Sequence, residues 1–530
     1  MATEAYRGLL RILGNYGRLA ASLALGLIYV PIFLLWLGEE AFGLLTLMGA
    51  SVGIAAMATE ISRKSMLREL AAAHHGTDEA WFRSVYNSSF VVSLAAAGIT
   101  TLGFAILLAC LPLLEIPPHL GVATWWLVVG QAFIIITRII MQPAINMYVV
   151  HERFFLSNLW MVIRKASHLA TALLLIYGFQ ITEPASALIA FSITLAGIQT
   201  LITAVQVVMM LIIDRRLMPH PSTIRRDAIW NVTQNFGMQT FVTLAMNIHE
   251  RIAQVIVNLV FGPVGNTIYG VSLRLSAYSR MVTMGATGGL ETVSARLGAS
   301  SQSAVVKDLL YHTTRLHTAV SVPAGLAIFI LAEPVLWHWV GHALDDPHTS
   351  IPIATTVVQI LMFALVSRAI SDGWIAVMYG TGHLKRYALV VIAGGLANPV
   401  ITIVLISMLP AEMKFNGPAI AFAAILTGLH LFGLPVIVAR CFDVTYSEVV
   451  KPMLRPSAVA VVLSPILVYG STFAYTSIWW LGATLAAYGA AYAVGGWLFT
   501  LTMQERRRFS SAAMRRISVF TMGNNVTNAP

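Results

Sequence analysis

Apolar residues occur along this chain in long runs, each bounded by charged residues, glycine or proline. A helix needs roughly 20 apolar residues to cross the hydrocarbon core of a bilayer. The pattern predicts fourteen such spans, at Asn15–Leu37, Phe42–Thr59, Ser88–Pro112, Leu120–Tyr148, Leu156–Gly178, Pro184–Ile213, Ile229–Phe261, Val264–Leu290, Asp308–Leu331, Ile351–Tyr379, Tyr387–Leu409, Gly417–Val438, Pro456–Tyr475 and Ser477–Thr502.

The longest of these spans, Ile229–Phe261, is predicted to be one continuous helix of about 50 Å. Near its middle it carries His249, Glu250 and Arg251 in succession. Three ionisable residues at that depth are costly against lipid, so we expect them to face protein or a water-filled cavity. An alternative is that Glu250 and Arg251 neutralise each other and only tie helices together.

Composition supports a membrane protein with many spans. Of 530 residues, 57% are hydrophobic and 11% are charged, and the mean hydropathy is +0.77. These values exclude an ordinary soluble domain. The predicted fold class is therefore an all-α polytopic membrane protein.

The distribution of lysine and arginine predicts the orientation, because short cytoplasmic loops retain these residues. With the N-terminus inside, loops on the cytoplasmic side hold 23 of them and the opposite side holds only Lys414. An even number of spans places both termini in the cytoplasm. The net charge of +10 is explained by these loops and by anionic lipid headgroups, without nucleic acid as a partner.

Two halves of the chain share a weak pattern. Tight glycine-containing turns follow the first and seventh spans, at Leu37–Gly43 and Phe261–Asn266. In each half an acidic residue, a basic amphipathic stretch and a long apolar helix come after the next span. In the first half this stretch, Glu60–Ala73, is predicted either to lie at the membrane interface on its apolar side or to be a solvated connector.

Several short motifs carry a family resemblance when taken together. They are LGEEAFG at Leu37–Gly43, TEISRKSMLREL at Thr59–Leu70, FGPVGNTIYG at Phe261–Gly270, AEPVLWHWVG at Ala332–Gly341, GTGHLKRY at Gly380–Tyr387 and NGPAIAFA at Asn416–Ala423. In order and spacing they resemble the multidrug/oligosaccharidyl-lipid/polysaccharide (MOP) exporter superfamily, on its Wzx-like polysaccharide-flippase branch. His249-Glu250-Arg251 departs from the relatives, which often have aspartate before the arginine.

The resemblance implies a particular architecture. Two six-helix lobes would surround a central cavity and work by alternating access, with two further C-terminal helices. The corresponding units are an N-lobe at 1–213, a cytoplasmic linker at 214–228, a C-lobe at 229–440, spans thirteen and fourteen at 441–505, and a cytoplasmic tail at 506–530. It also implies a location in the bacterial cytoplasmic membrane.

Nine lysines and arginines remain inside the predicted spans, but only two acids, Glu250 and Asp372. At about 3 kcal/mol each, nine lipid-facing cations would cost more than a typical folding stability of about 5–15 kcal/mol. Five of them lie near predicted cytoplasmic ends, where they could reach the headgroups: Arg18, Arg164, Lys165, Arg280 and Arg315. Arg138, Arg251, Arg274 and Arg368 are deeper, and Arg368 can pair with Asp372 four residues on.

A cavity with unpaired arginines favours an anionic ligand, because the guanidinium group donates two parallel hydrogen bonds to phosphate. The resemblance implies an undecaprenyl-diphosphate-linked oligosaccharide, with the diphosphate bound by Arg138, Arg251, Arg274, Arg368 and Arg18. Glu250, Asp372 and His249 are the candidates for coupling transport to H⁺ or Na⁺. No other cofactor is predicted, and the possible protein partners are a polysaccharide polymerase or copolymerase.

Two other functions remain open from the sequence. A cation or drug antiporter of the same superfamily would need carboxylates in its cavity, and the first six spans contain none. A glycan polymerase or ligase would need acidic or histidine-bearing outer loops, and only the region of His338, His342, Asp345, Asp346 and His348 has them. A solvated loop explains this cluster, although metal binding is an alternative.

Overall fold

The structure is a computed structural model that describes residues 2–55, 57–234, 237–287, 290, 294, 303–501, 503 and 506. The described residues form helices and no strands. The α-helices are α1 (Ala2–Ala55), α2 (Met57–His74), α3 (Glu79–Cys110), α4 (Gly121–Ile140), α5 (Gln142–Val150), α6 (Phe154–Leu173), α7 (Pro184–Ile213), α8 (Arg226–Thr233), α9 (Gly237–Thr287), α10 (Ser303–Val340), α11 (Pro347–Gly380), α12 (Leu384–Met408), α13 (Gly417–Thr427), α14 (Leu434–Phe442), α15 (Tyr446–Leu463), α16 (Pro465–Ala474) and α17 (Ile478–Gly495). Short π-helical segments extend α6, join α13 to α14 and extend α17.

Ten helices in the described residues are long and apolar enough to cross a membrane, or eleven if the bent pair α15–α16 is one span. Two of the ten, in α1 and α9, are interrupted by a glycine with non-helical backbone, Gly38 (φ 75°) and Gly262 (φ 69°). A positive φ favours glycine because it has no Cβ. These glycines lie in the turns predicted after the first and seventh spans, so each of the two helices contains two predicted spans. The all-α polytopic class is confirmed.

The prediction of one continuous helix from Ile229 to Phe261 is wrong. The helix that contains Ile229, α8, ends at Thr233, and α9 begins at Gly237. Residues 235–236 lie outside the described part of the chain. Arg251 is therefore fourteen residues, about 21 Å, into α9, closer to the start of its helix than a helix from Ile229 would place it.

Packing of large side chains between helices holds the lobes together. Phe33 and Phe42 of α1 and Phe191 of α7 are among the largest fully buried side chains. They belong to one core that also contains residues of α9, α10 and α11, and a second core centres on Trp374 of α11 and Tyr387 of α12. Lipid tails are as apolar as these side chains, so close packing contributes more here than exclusion of water.

The amphipathic stretch Glu60–Ala73 forms part of α2, but the structure does not place its described apolar side at the membrane interface. Met66 and Leu70 are completely buried. They pack in a cluster with Phe82 and Tyr86 of α3 and Met147 of α5. Protein therefore covers this face of α2, because α3 and α5 offer closer van der Waals contacts than headgroups would.

A group of ionisable side chains lies beside this cluster, where α2, α5 and α7 end. The rings of His74 and His151 have centroids 4.5 Å apart. His151 Nε2 is 3.2 Å from Asp214 Oδ2, and Asp214 accepts two hydrogen bonds from the Arg216 guanidinium, at 2.9 and 2.8 Å. Burial lowers the pKa of both histidines, and the Arg216 charge lowers each further. The hydrogen bond from Arg216 lowers the pKa of Asp214.

We expect this group to lose stability as the pH falls below about 6.5, the ordinary pKa of histidine. A histidine whose folded pKa is lowered binds fewer protons in the folded chain than in the unfolded one, so stability rises with pH across that window. The double variant His74→Gln, His151→Gln should show a smaller drop in melting temperature between pH 7.5 and 5.5 than the unmodified chain. A matched change at His119, which is 63% exposed, should leave the drop unaltered. An equal drop in all three proteins would contradict this prediction.

Candidate functional site

A cavity of about 470 Å³ lies where the helices of the predicted N-lobe meet the second half of α9. Side chains from α1, α4, α6, α7 and α9 contribute to its wall. The lining residues are Ser22, Leu25, Gly26, Tyr29, Leu45, Met48, Gly49, Leu127, Gln131, Lys165, His168, Phe191, Arg274, Ala277, Tyr278 and Met281. No carboxylate occurs among them.

Two cations, Lys165 and Arg274, reach this cavity from opposite lobes. The Arg274 guanidinium carbon lies 5.0 Å from the centroid of the Tyr29 ring and 5.9 Å from that of Phe42. Lys165 Nζ is 3.5 Å from the carbonyl oxygen of Ser22. An aromatic face and a carbonyl partly compensate a cation but do not neutralise it. The cavity therefore has a positive wall that can accept an anion.

The sequence of α6 and the hydrogen bonds of one buried arginine explain how this helix presents Lys165 to the cavity. Lys165 and His168 are three residues apart and so share one helix face. The preceding residue, Arg164, is buried and donates to Gln199 Oε1 (3.1 Å), Thr203 Oγ1 (3.1 Å) and Gln206 Oε1 (2.7 Å), all on α7. These bonds fix α6 against α7. The suggestion that Arg164 extends to the headgroups is wrong, since the side chain is 8% exposed.

Arg251 is close to this cavity and bridges the two lobes. Its Nη1 donates to the carbonyl oxygen of Gly49 (2.9 Å), which is a lining residue, and its Nε donates to Asn247 Oδ1 (3.2 Å). Within the described residues, Arg251 forms no ion pair with Glu250, which lies near Arg280 instead. The geometry therefore does not support the alternative that Arg251 neutralises Glu250.

Arg18 and Arg138 are not among the residues that line the cavity. Arg18 Nη1 is 3.8 Å from the sulfur of Met161. Arg138 is in the last turn of α4 and is close enough to Arg164 for their charges to repel. The hypothesis that either binds diphosphate remains a prediction from sequence.

The structure separates Arg368 from Arg274 and places it in a network of charges inside the predicted C-lobe. Arg368 Nε is 3.2 Å from Asp372 Oδ1, as the four-residue spacing predicted. Arg280 Nε is 3.2 Å from Asp372 Oδ2, and Arg280 Nη1 is 3.6 Å from Glu250 Oε1. Of Arg138, Arg251, Arg274 and Arg368, Arg274 is the one that lines the 470 Å³ cavity, and the grouping of all four around one cavity stays a prediction from sequence.

Two buried histidines accompany this network. His430 Nε2 lies 3.3 Å from Arg368 Nη1, and its Nδ1 is 2.7 Å from Ser371 Oγ. Arg368 also donates to the hydroxyl of Tyr387. His249 is 2% exposed and stacks on Phe422 at 4.7 Å, and neither ring nitrogen has a hydrogen-bond partner within the described residues. His249 thus lies in protein, as predicted.

Sequence reasoning missed the part of Lys165, His168 and Tyr278 in this cavity. From the sequence, Lys165 could reach the headgroups, because it lies near a predicted cytoplasmic end of its span. The available signal was the i, i+3 pair Lys165 and His168 within a predicted span, since lipid would not accept both. That signal could not reveal that Arg274, more than 100 residues away in sequence, lies opposite.

The two glycine turns noted in the sequence meet at one end of the molecule. Thr267 Oγ1 donates to the carbonyl oxygen of Glu39 (2.6 Å), and Thr46 Oγ1 donates to that of Asn266 (3.1 Å). A Cβ added at Gly43 would overlap the carbonyl oxygen of Pro263. The two turns are therefore in direct contact, at the end of the helices predicted to be outside.

A second pair of hydrogen bonds joins the two halves of the chain. The backbone N–H of Glu115 donates to Asn258 Oδ1 (3.0 Å), and Asn258 Nδ2 donates to the carbonyl oxygen of Glu115 (3.1 Å). Asn258 is completely buried. Between α10 and α11, Asp345 donates its N–H to Glu39 Oε1 (2.7 Å) and Asp346 caps α11. Within the described part of the chain, no group of three or more histidine, cysteine or acidic residues is placed to hold a metal ion.

Comparisons with known proteins identify the architecture. No family model matches, and no curated protein matches. An inward-facing multidrug resistance MATE family transporter of the MOP superfamily aligns with a TM-score of 0.67 at 12% identity, over 81% of this chain and 99% of its own. The lipid II flippase MurJ in an inward closed conformation aligns with a TM-score of 0.66 at 13% identity, over 92% and 98%.

A further solved structure extends this likeness. A MOP superfamily transporter from Pyrococcus furiosus, described as having a binding pocket of reverse polarity, aligns with a TM-score of 0.57 at 13% identity, over 82% of this chain and 96% of its own. These alignments cover nearly the whole length of the solved chains. The chain therefore has the fold of the MOP superfamily of membrane transporters.

Proposed function

We propose that this protein is a flippase that moves a diphosphate-linked lipid oligosaccharide across the bacterial cytoplasmic membrane for surface polysaccharide synthesis. The observation that carries the proposal is the cavity between Lys165 and Arg274, which has two cations and no lining carboxylate. A cation or drug exporter needs the opposite charge in its cavity. The fold is common to both kinds of transporter and does not distinguish them.

The chemistry of the cavity wall suits the two parts of such a substrate. The diphosphate accepts paired hydrogen bonds from the Arg274 fork and a third from the Lys165 ammonium. Gln131, Tyr29 and Tyr278 offer amide, hydroxyl and aromatic surface for a sugar. The polyprenyl tail is too long for a cavity of about 470 Å³ and stays in the bilayer between helices.

The contacts between lobes support alternating access. In this state the glycine turns at Gly38 and Gly262 are packed together at the predicted outer end. Transport requires these contacts to break while the opposite end closes. We propose that Glu250 is the carboxylate through which H⁺ or Na⁺ is coupled, with Asp372 and His249, because Glu250 is the more exposed acid, at 43% against 12% for Asp372.

The decisive experiment uses the purified full chain in lipid vesicles, with a fluorescent polyprenyl-diphosphate oligosaccharide in the outer leaflet and a membrane-impermeant quencher. We expect the quenchable fraction to fall towards one half in vesicles that contain the protein and to stay constant in empty ones. H⁺ and Na⁺ gradients should be imposed separately. An acceleration by one gradient that disappears in Glu250→Gln supports the proposed coupling.

Each competing function predicts a different result in the same vesicles. Uptake of a lipophilic cationic dye against a proton or sodium gradient, without movement of the lipid, would reject the flippase and support an antiporter. A change in glycan length would indicate a polymerase or ligase. In cells, deletion of the gene should leave lipid-linked oligosaccharide on the inner leaflet, where a polymerase or copolymerase outside cannot use it.

A further inference from the structure

A second cleft lies between α15 and the end of α17, far along the chain from the residues of the central cavity. Its volume is about 860 Å³. Its long walls are apolar side chains such as Val462 of α15 and Phe499 of the π-helical segment, which are 74% and 66% exposed. Arg455 and Arg506 lie in its wall as well.

Arg455 has an unusual position for an exposed cation. The sequence suggested a loop that ends at Arg455, but the structure places this residue nine positions, about 13 Å, into α15. Within the described residues, Arg455 forms no ion pair with a carboxylate. An exposed cation beside apolar side chains favours an anion in the cleft.

Arg506 contributes the second cation from the other side of the cleft. It donates from Nε to the carbonyl oxygen of Leu501 (3.1 Å) and from Nη2 to that of Leu498 (2.5 Å). Both acceptors lie at the end of the helix, in or just after the π-helical segment Gly496–Thr500, where backbone carbonyls need partners from outside the helix. These two acceptors are neutral, so they hold Arg506 in place without compensating its charge.

The apolar end of the cleft is closed by contact between the helices. A Cβ built on Gly495 of α17 would lie 2.9 Å from Cγ1 of Val459 on α15. A residue larger than glycine at this position would require Val459 to shift. The cleft therefore combines apolar lining residues with two arginines.

We propose that this cleft is a binding site for an anionic phospholipid of the membrane. The phosphate of a phosphatidylglycerol headgroup matches two guanidinium groups, and acyl chains match the walls formed by Val462 and Phe499. The volume is in the range of clefts that enclose a small ligand, about 300–1,000 Å³, so part of each chain remains in the bilayer. This site is separate from the proposed flippase cavity and does not depend on it.

The test is native mass spectrometry of the purified full chain with added phosphatidylglycerol or phosphatidylcholine. We expect the chain to retain phosphatidylglycerol preferentially, and Arg455→Gln with Arg506→Gln to weaken its binding roughly 30-fold, which corresponds to about 2 kcal/mol for two cations near an anionic headgroup. Arg386→Gln, a cytoplasmic arginine outside the cleft, is the matched control and should bind like the unmodified chain.

A second variant tests the apolar part without changing charge. Ala458 lines the cleft, so Ala458→Phe should fill it and reduce retained phosphatidylglycerol while both arginines remain. Equal binding of the two phospholipids, or unchanged binding in the double arginine variant, would overturn the proposal. Displacement of the lipid by millimolar inorganic phosphate would identify a site for free anions instead, and stronger retention of a polyprenyl diphosphate would identify a site for the transported lipid.

Discussion

Replacing Lys165 and Arg274 together by alanine should reduce the rate of lipid movement in vesicles by about 100-fold or more. Hydrogen bonds from charged donors contribute about 1.5–3 kcal/mol each, and the two side chains are the cations that line the central cavity. Either single change should leave partial activity, since one cation remains. Membrane insertion and melting temperature should change little, because neither side chain forms an ion pair within the described part of the chain.

Conservative changes separate the charge from the geometry of the donor. Arg274→Lys keeps the charge but loses the planar fork, so its rate should fall between those of Arg274→Ala and the unmodified chain. Arg83→Ala is a suitable control, because Arg83 forms only an exposed pair with Glu79 at 2.8 Å. A double alanine variant that transports the lipid at the normal rate would show that the diphosphate does not bind between Lys165 and Arg274.

Asp372→Asn should destabilise the folded protein by about 3–5 kcal/mol, because it removes the anion that Arg280 and Arg368 share. The side chains of Asp372 and Arg368 are 12% and 11% exposed, so water screens the remaining charges only weakly. The measurement is reversible unfolding by denaturing detergent, or melting temperature in a mild detergent. This change is expected to be the most destabilising of those considered.

Two further variants test whether the lost stability comes from uncompensated charge. Glu250→Gln removes an acid that is 43% exposed and 3.6 Å from Arg280, so its effect should be within about 1 kcal/mol. Asp372→Asn combined with Arg368→Gln should be less destabilising than Asp372→Asn alone, because one of the two uncompensated cations is also removed. A double variant that is less stable than the single one would show that Arg368 stabilises the fold mainly through Tyr387 and His430.

Part of the site could be predicted from neighbouring positions in the chain. Arg368 and Asp372 pair because residues four apart lie on one helix face, and this contact is independent of the rest of the fold. Arg274 was expected in a cavity because a cation deep in a span cannot face lipid. The same argument applied equally to Arg138, Arg251 and Arg368, and it gave no means of choosing between them.

Which of these arginines lines the cavity depends on contacts between residues far apart in sequence. Arg280 of α9 approaches both Glu250 and Asp372, so these acids and Arg368 form a compensated group inside the predicted C-lobe. Arg274, only six residues earlier, faces Lys165 of α6 instead. These arginines are close in the chain but lie in different surroundings, and the packing of α9 against α1 and α11 decides which of them joins the charge network and which lines the cavity.

The sequence by itself determined the class of this protein, the approximate positions of its spans and the turns at Gly38 and Gly262, since apolar run length and glycine placement are local properties. It misjudged the helix around Ile229, because the polar residues and the glycine that follow Trp230 were included in the span although α8 ends at Thr233. The cationic cavity was decided by tertiary structure alone. Its two charges belong to different lobes, and no spacing along the chain records that the lobes bring them together.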